Sequence, residues 1–289
     1  MDFFDIPQSD LEELIRKAFA EDHAYNDMTS AACLSEEAQA FAKIVLKQPG
    51  CIAGLKFIPW IFQLFDPHIE TEVCVHEGAF CEKETLLARL RGPARSILSA
   101  ERVAVNFLQH LSGIATLTAR CKEKVQGTSC QILDTRKTIL GLRSLQKYAV
   151  RVGGGTNHRL HLADRILIKN NHLALAGNPS PLTYCIQNAK RAHPQSWIEV
   201  EIDSSLQLVL ALEAGAHAIL LDNMTPSDVS ECVALNKKRA YLEASGGITL
   251  DNLSAYAATG VDGISMGALT HSAPALDISL RAGFSNYND

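Results

Sequence analysis

The chain has 289 residues, of which 47% are hydrophobic and 20% charged, and its formal net charge is −5. That composition excludes whole-chain disorder, collagen and coiled coil, and the length suits one large domain or two ordinary ones with a real core. The acidic total also excludes a general nucleic-acid surface. Yet between Asp134 and Asn171 eight basic residues stand against two acids, a local +6 that leaves −11 for the remainder.

Before that island the elements follow α+β grammar. Ser9 and Glu12 have the S-x-x-E spacing of a capping box, and Leu11, Leu14, Ile15, Ala18 and Phe19 continue with helical periodicity. Residues 41–47 and 51–55 read as short strands around Pro49-Gly50, and Ile69, Thr71, Val73 and Val75 alternate with polar positions as a half-exposed strand. Leu86, Ala88 and Leu90 repeat that pattern. Bunched strands with few helices between them predict an N-terminal α+β sandwich domain over residues 1–110. Residues 94–126 read as a helix interrupted near Ser112-Gly113.

Beyond this point the grammar changes. Short apolar runs each end in a polar residue: Ile132-Leu133 at Asp134, Ile166-Leu167-Ile168 at Lys169, Val200 at Glu201, Leu221 at Asp222, Ala244 at Ser245 and Met266 at Gly267. The last four of these ends lie 21, 23 and 22 residues apart, with helical patterns between them. Strand, loop and helix at so tight a repeat predict βα units and an irregular, open α/β barrel of the TIM type over residues 111–270. The polar residues then fall at the carboxyl ends of the strands, where such barrels carry their chemistry. Residues 271–289 form a tail expected to return to the first domain.

Eight cysteines occur without a CxxC pair. The opening Met1-Asp2-Phe3-Phe4-Asp5 has neither a basic nor an apolar targeting region, and no apolar run approaches the ~18 residues of a membrane span. Reduced, mostly buried thiols in a cytoplasmic protein are the expectation, with a disulfide framework as the minor alternative.

Several strand ends carry candidate chemistry. Ser245-Gly246-Gly247-Ile248-Thr249 lies after a strand and before a helix, and Gly267-Ala268-Leu269 follows the next strand. Backbone N–H groups in consecutive late loops of this kind can close on a phosphate; the plainer alternative is a pair of tight βα turns. Arg136 and Lys137, after a strand, offer a planar fork and a point charge suited to carboxylate or pyrophosphate. Arg159 in the Gly153–Arg159 loop and Lys169 at a strand end add to them, whereas Arg143, Lys147 and Arg165 fit a solvated face. Glu201 and Asp222, on adjacent strand ends, suit ribose hydroxyls, Mg²⁺ or a developing cation, with a structural salt bridge as the alternative. Glu199 is read as lying in a lower layer or facing elsewhere, and Asp203 as a helix cap. His158 and His161 form H-x-x-H without a further zinc ligand, His158 fitting an anion site, and His271 is a weaker candidate after a strand end.

The chain resembles the quinolinate phosphoribosyltransferase family. The matching segments span nearly its whole length: Ser99–Arg102, Asn106–Gln109 and Leu111–Thr116, then Asp134-Thr135-Arg136-Lys137-Thr138, Gly153–Arg159 and Ile168–His172. Glu199-Val200-Glu201, Leu221-Asp222-Asn223, Ser245–Ile248 and Ser265–His271 complete the set. The resemblance implies an N-terminal α/β sandwich, an irregular barrel, and a head-to-tail homodimer with shared active sites, assembled in some members as a trimer of dimers. It implies reaction of quinolinate with 5-phosphoribosyl-1-pyrophosphate, giving nicotinate mononucleotide, pyrophosphate and CO₂ in de novo NAD synthesis. It further implies that Arg102 (acting across the dimer), Arg136, His158, Arg159 and Lys169 hold quinolinate, with Lys137 also at the pyrophosphate and Thr135 among the substrate-binding residues. Ser245, Gly246, Gly247 and Gly267 would bind the 5-phosphate, with His271 nearby. Lys137, Lys169, Glu201 and Asp222 would be the catalytic residues, and Mg²⁺ would ride mainly on the pyrophosphate, with Glu201 and Asp222 as protein ligands.

Three positions depart from the family pattern: Ile139-Leu140 precede Gly141-Leu142-Arg143 where Pro is usual, His161 replaces a common Gly, and Asn26 replaces the Gly of the Asp27–Ser30 motif. The alternatives are a type II phosphoribosyltransferase acting on nicotinate or another nitrogen-ring acid, a Schiff-base aldolase using Lys169, and a non-catalytic phosphosugar-binding protein.

Overall fold

The computed structural model describes residues 6–283. The chain divides into two units, one running through Leu117 and adding Ser144–Gly153 and the tail from Ala273, the other comprising Thr118–Arg143 and Gly154–Ser272. Segment Ser144–Gly153, within the stretch read as barrel, therefore groups with the first unit. Among the described residues no helix is long and apolar enough to cross a membrane.

The strands are β1 (Gln39–Leu46), β2 (Gly50–Cys51), β3 (Glu70–Val73), β4 (Phe80–Cys81) and β5 (Leu86–Pro93), then β6 (Gln131–Leu133), β7 (Ile166–Ile168) and β8 (Ile198–Ile202). They continue as β9 (Ala218–Asp222), β10 (Tyr241–Ser245), β11 (Gly263–Ser265) and β12 (Ile278–Gly283). In the first unit the sheet order is β12-β1-β5-β3, all antiparallel, with β2 and β4 as a separate pair. The tail returns as an edge strand, pairing Phe41 with Gly283 and Leu46 with Ile278. Of residues 51–55, read as a strand, only Cys51 belongs to one, closing the two-residue β2 before a 3₁₀ turn at Leu55–Phe57, and β1 takes β5 and β12 as its neighbours instead.

The first helix, Gln8–Glu21, buries Leu11, Ile15 and Phe19 along one stripe, as its periodicity requires. It begins earlier than the Ser9–Glu12 spacing predicts, with Pro7 at the N-cap and no side-chain cap bond, so Ser9 lies inside the first turn and the capping box does not form. The long helix Ala94–Lys124 runs without the interruption expected at Ser112-Gly113. Those residues serve packing. The Ser112 hydroxyl bonds Ala53 N at 3.0 Å and Ala53 O at 3.2 Å. A Cβ on Gly113 would lie 2.2 Å from Pro274 O.

In the second unit the strand order is β6-β11-β10-β9-β8-β7, all parallel. That is chain order wrapped in a circle and opened between β6 and β7, the order of an α/β barrel. Among the described residues no β6–β7 ladder occurs, and a lone parallel bridge from Leu133 to Thr156 occupies the β6 edge. Asp203 does not cap the following helix: Ser204 holds the N-cap position of Ser205–Ala214, and Asp203 N donates to Gln207 Oε1. All eight cysteines are free thiols, and only Cys33 is exposed.

Gly113 supplies a test with a diagnostic sign. Alanine in a helix interior normally stabilises by about 1 kcal/mol relative to glycine. Here Gly113→Ala is expected to destabilise by about 1–3 kcal/mol, because backbone rather than a flexible side chain fills the space. A rise in thermal midpoint on this substitution would contradict the close approach.

Candidate active site

Parallel register brings the polar residues of different strands into shared rows. Glu199 stands level with Leu167 of β7 and Ala218 of β9, and Ser245 of β10 with Asp222 and Ser265. Residues two apart on one strand share a face, so Glu201 lies one layer above Glu199 and Ser245 one layer above Glu243. At the carboxyl ends of the strands these side chains surround a cavity of about 290 Å³. Its walls include Thr135, Arg136, Lys137, His158, Arg159, Lys169, Glu201, Asp222 and Ser245, together with Leu167, Leu220, Glu243 and Ser265. Nine residues anticipated from the sequence thus meet in one hollow.

The loop after β6 is held from two directions. Thr135 Oγ1 accepts from Lys137 N at 3.0 Å, and the Thr270 hydroxyl donates to Lys137 O at 2.8 Å. Gly267 and His271 sit beside this loop, since a Cβ on Gly267 would lie 2.9 Å from both Lys137 Cδ and His271 Nε2. The buried Nε of Arg136 has no hydrogen-bond partner among the described residues, so the guanidinium retains a donor for an anion. Arg159 is 5% exposed and donates to Arg165 O at 3.2 Å. Burial, then the charge of Arg136, hold its pKa below the ordinary guanidinium value, although not enough to lose the charge at neutral pH.

The carboxylates are placed by short loops. Glu201 Oε1 accepts from Asn170 N at 3.3 Å. Asp222 Oδ2 accepts from Asn223 Nδ2 at 2.9 Å, while Asn223 N donates to Ser245 O at 2.8 Å. Gly246 adopts φ +95°, and a Cβ there would strike Asn223 Oδ1 at 2.2 Å, so this turn admits only glycine without rearrangement. Gly247, at φ +62°, continues the loop.

Asp134, fully buried, fixes the opposite wall: its Oδ1 accepts from His158 N at 2.9 Å and its Oδ2 from Asn157 Nδ2 at 2.5 Å. The His158 ring points into the barrel. Nε2 lies 3.1 Å from Glu199 Oε2 and 3.5 Å from Glu243 Oε2, and Nδ1 accepts from Arg159 N at 2.8 Å. Both ring nitrogens are therefore engaged within the protein, while the ring still borders the cavity where the resemblance implies an anion contact. Burial disfavours the imidazolium, but the hydrogen bond to Glu199 and the charges of Glu243 and Glu199 outweigh it and raise the histidine pKa. Burial and the neighbouring Glu199 charge push Glu243 up to about 7.

The donor atoms of His158, Glu199 and Glu243 lie within 4.8 Å of one another, a spacing suited to a metal ion. A metal on Nε2 would require Nδ1 to carry the proton and donate it outward. Nδ1 instead faces the Arg159 N–H, which identifies the cluster as a hydrogen-bonded unit.

Arg102 belongs to the first unit, on the helix Ala94–Lys124, with its side chain 58% exposed and Glu101 at 3.9 Å. There it lines a separate hollow with Glu21, Asp22 and Asn106. Of the three basic residues read as solvated, Lys147 is 3% exposed and Arg143 donates to Thr138 Oγ1 and Leu160 O. Arg165 lines a second hollow, at the opposite end of the strands, with Trp197 and Tyr241. Glu199 and Glu243 were missed as site residues. The signal for both was the i, i+2 repeat below Glu201 and Ser245, which places them on the inward face.

The family models for the N-terminal and C-terminal domains of quinolinate phosphoribosyl transferase match residues 27–112 and 114–281. The chain belongs to the quinolinate phosphoribosyltransferase family. It is 43% identical over 276 residues to a probable nicotinate-nucleotide pyrophosphorylase [carboxylating] of Bacillus subtilis, covering 96% of this chain and 94% of that protein. It is 41% identical to the nicotinate-nucleotide pyrophosphorylase [carboxylating] of Mycobacterium leprae, with 93% and 95% covered. A solved structure of the Francisella tularensis nicotinate-nucleotide pyrophosphorylase superposes with a TM-score of 0.90 at 34% identity, covering 96% of this chain and 98% of that one.

Asp134 tests the wall that carries the turn. Asp134→Asn replaces one acceptor by a donor against Asn157 or His158 N. A loss of about 1–3 kcal/mol in thermal or denaturant unfolding is expected, with activity falling in parallel; unchanged stability would show that these bonds do not hold the loop.

Proposed function

We propose that this protein transfers the phosphoribosyl group of 5-phosphoribosyl-1-pyrophosphate to quinolinate with decarboxylation, giving nicotinate mononucleotide, pyrophosphate and CO₂ in de novo NAD synthesis, as a cytoplasmic enzyme. The observation that carries this reading is the cavity wall, where Arg136, Lys137, Arg159 and Lys169 stand with Glu201 and Asp222 at the ends of parallel strands. Four cations suit two polyanionic substrates, and two carboxylates suit a sugar that develops positive charge.

The chemistry follows from that arrangement. Arg136, Arg159 and Lys169 hold the two carboxylates of quinolinate and aim the pyridine nitrogen at the anomeric carbon. Lys137 faces the pyrophosphate, while Ser245, Gly246, Gly247 and Gly267 bind the 5-phosphate. The C–O bond to pyrophosphate breaks ahead of the N–C bond that the nitrogen lone pair then forms. Glu201 and Asp222 hold the ribose hydroxyls and stabilise the oxocarbenium-like charge between those two events. The ring then carries a pyridinium that accepts the electron pair of the adjacent C–CO₂ bond, CO₂ departs, and a proton takes its place. Orientation and electrostatics do this work without a covalent enzyme intermediate.

Mg²⁺ would be held mainly by the pyrophosphate and, from the protein, by Glu201 and Asp222, hard oxygen donors that line the same cavity. When bound it would neutralise charge on the leaving pyrophosphate. We further propose a head-to-tail homodimer in which Arg102 serves the neighbouring cavity. Its exposed side chain, with Glu101 as its ion-pair contact at 3.9 Å, suits such a reach.

Purified protein supplied with quinolinate, 5-phosphoribosyl-1-pyrophosphate and Mg²⁺ is expected to release nicotinate mononucleotide and CO₂. Turnover with nicotinate and none with quinolinate would favour the mono-acid phosphoribosyltransferase instead. A second experiment addresses assembly. Arg102→Ala and Lys169→Ala chains, each inactive alone, are expected to regain partial activity when mixed, and mixed dimers without rescue would exclude a shared site.

A further inference from the structure

Glu199 and Glu243 have no part in the chemistry above, yet they occupy the centre of the barrel. Both are buried, at 1% and 2% exposure, and each keeps one carboxylate oxygen without a hydrogen-bond partner. Their other oxygens converge on His158 Nε2 at 3.1 and 3.5 Å. On its far side the ring accepts the Arg159 N–H at 2.8 Å. An imidazole with a lone pair on Nδ1 carries its proton on Nε2, and in a ring only 7% exposed that proton needs an acceptor. Glu199 supplies it. The bond fixes the ring plane, and the ring fixes the Arg159 backbone beside the substrate cavity.

We infer that Glu199 and Glu243 are positioning residues for substrate recognition: through the Nε2–H tautomer of His158 they set Arg159 in place to receive a ring carboxylate. The inference rests on the proposed role of Arg159 as a quinolinate ligand. A purely electrostatic role is separable by sign. The Glu199 charge lies close enough to oppose the Arg159 charge. If the pair acted by charge alone, neutralising it would strengthen dianion binding. If it acts by aiming Arg159, removing the acceptors weakens that binding.

The test compares two double variants of the full chain in steady-state kinetics. Glu199→Leu with Glu243→Leu removes every carboxylate acceptor at Nε2 and leaves that buried N–H unpaired, so thermal unfolding is measured beside the kinetics to separate lost fold from lost positioning. Glu199→Gln with Glu243→Gln removes the charge but keeps an amide oxygen for the ring. The leucine pair is expected to raise KM for quinolinate about tenfold or more, the loss of a well-placed charge-assisted bond, with KM for 5-phosphoribosyl-1-pyrophosphate changing less than about threefold. The glutamine pair is expected to stay within about threefold of the native value for both. A fall in quinolinate KM in both pairs, equal impairment in both, or equal movement of the two substrates overturns the inference.

Arg159→Ala separates the ligand role of Arg159 from its positioning by the glutamates. If it leaves quinolinate KM unchanged, the ligand role of Arg159 fails. If it raises that KM while the leucine pair does not, only the positioning role fails. Nitrogen NMR of the native chain labelled with ¹⁵N-histidine gives a readout independent of activity. At a pH above its raised pKa His158 is expected to show the neutral Nε2–H form, and a neutral ring protonated on Nδ1 overturns the assignment.

Discussion

Parallel strand register is the constraint on which the site depends. Each of β7–β11 is only three to five residues long, so one or two inward positions per strand are all the barrel has to build with. Neighbouring strands are locked by their hydrogen bonds, and side chains alternate with a period of two. A shift of one residue in β8 would turn Glu199 and Glu201 outward together and leave Ile198, Val200 and Ile202 facing the cavity. The apolar residues at those positions are completely buried between sheet and helices, and their burial is what enforces the register that the carboxylates need.

That register layers the interior by polarity. Glu199, His158 and Glu243 lie deep, where each charge is costly and must be met by a partner. Glu201, Asp222 and Ser245 lie a layer higher, at the cavity. Arg136 and Arg159 reach the cavity from loops rather than strands. The two arginines repel one another, and burial adds to the strain on Arg159. Under the proposed function an incoming dianion would relieve that charge, so the protein would bear part of the electrostatic cost at folding.

Much of this was legible in the residues. Apolar runs ending in Asp134, Lys169, Glu201, Asp222 and Ser245, the last three 21 and 23 residues apart, announce parallel βα units, because the strand period and the helix period alternate visibly. Charges on strand ends and glycine loops separate from charges at helical spacing by the same logic. The errors were of another kind. Ser112-Gly113 has the composition of a helix break, but its reason is the approach of Pro274, distant in sequence. The strand read at residues 51–55 reduces to Cys51, and the edge beside β1 comes from the tail. Lys147 follows helical spacing on a face that is buried rather than solvated. Local patterns carry periodicity, and they do not carry the identity of whatever packs against a face.

The sequence by itself determined the family, the parallel α/β grammar and the residues that ring the cavity, since all three are written in spacing and residue type along a short stretch of chain. Only the tertiary structure decided that His158 turns inward to Glu199 and Glu243 while Arg159 stands at the cavity, and that the circle of strands opens between β6 and β7. The His158 contacts join residues 41 and 85 positions apart, set by how parallel ladders stack their inward rows. The +6 island accordingly divides by geometry: part of it lines the cavity, and Arg143, Lys147 and Arg165 are bound into the protein around their own partners and hollows.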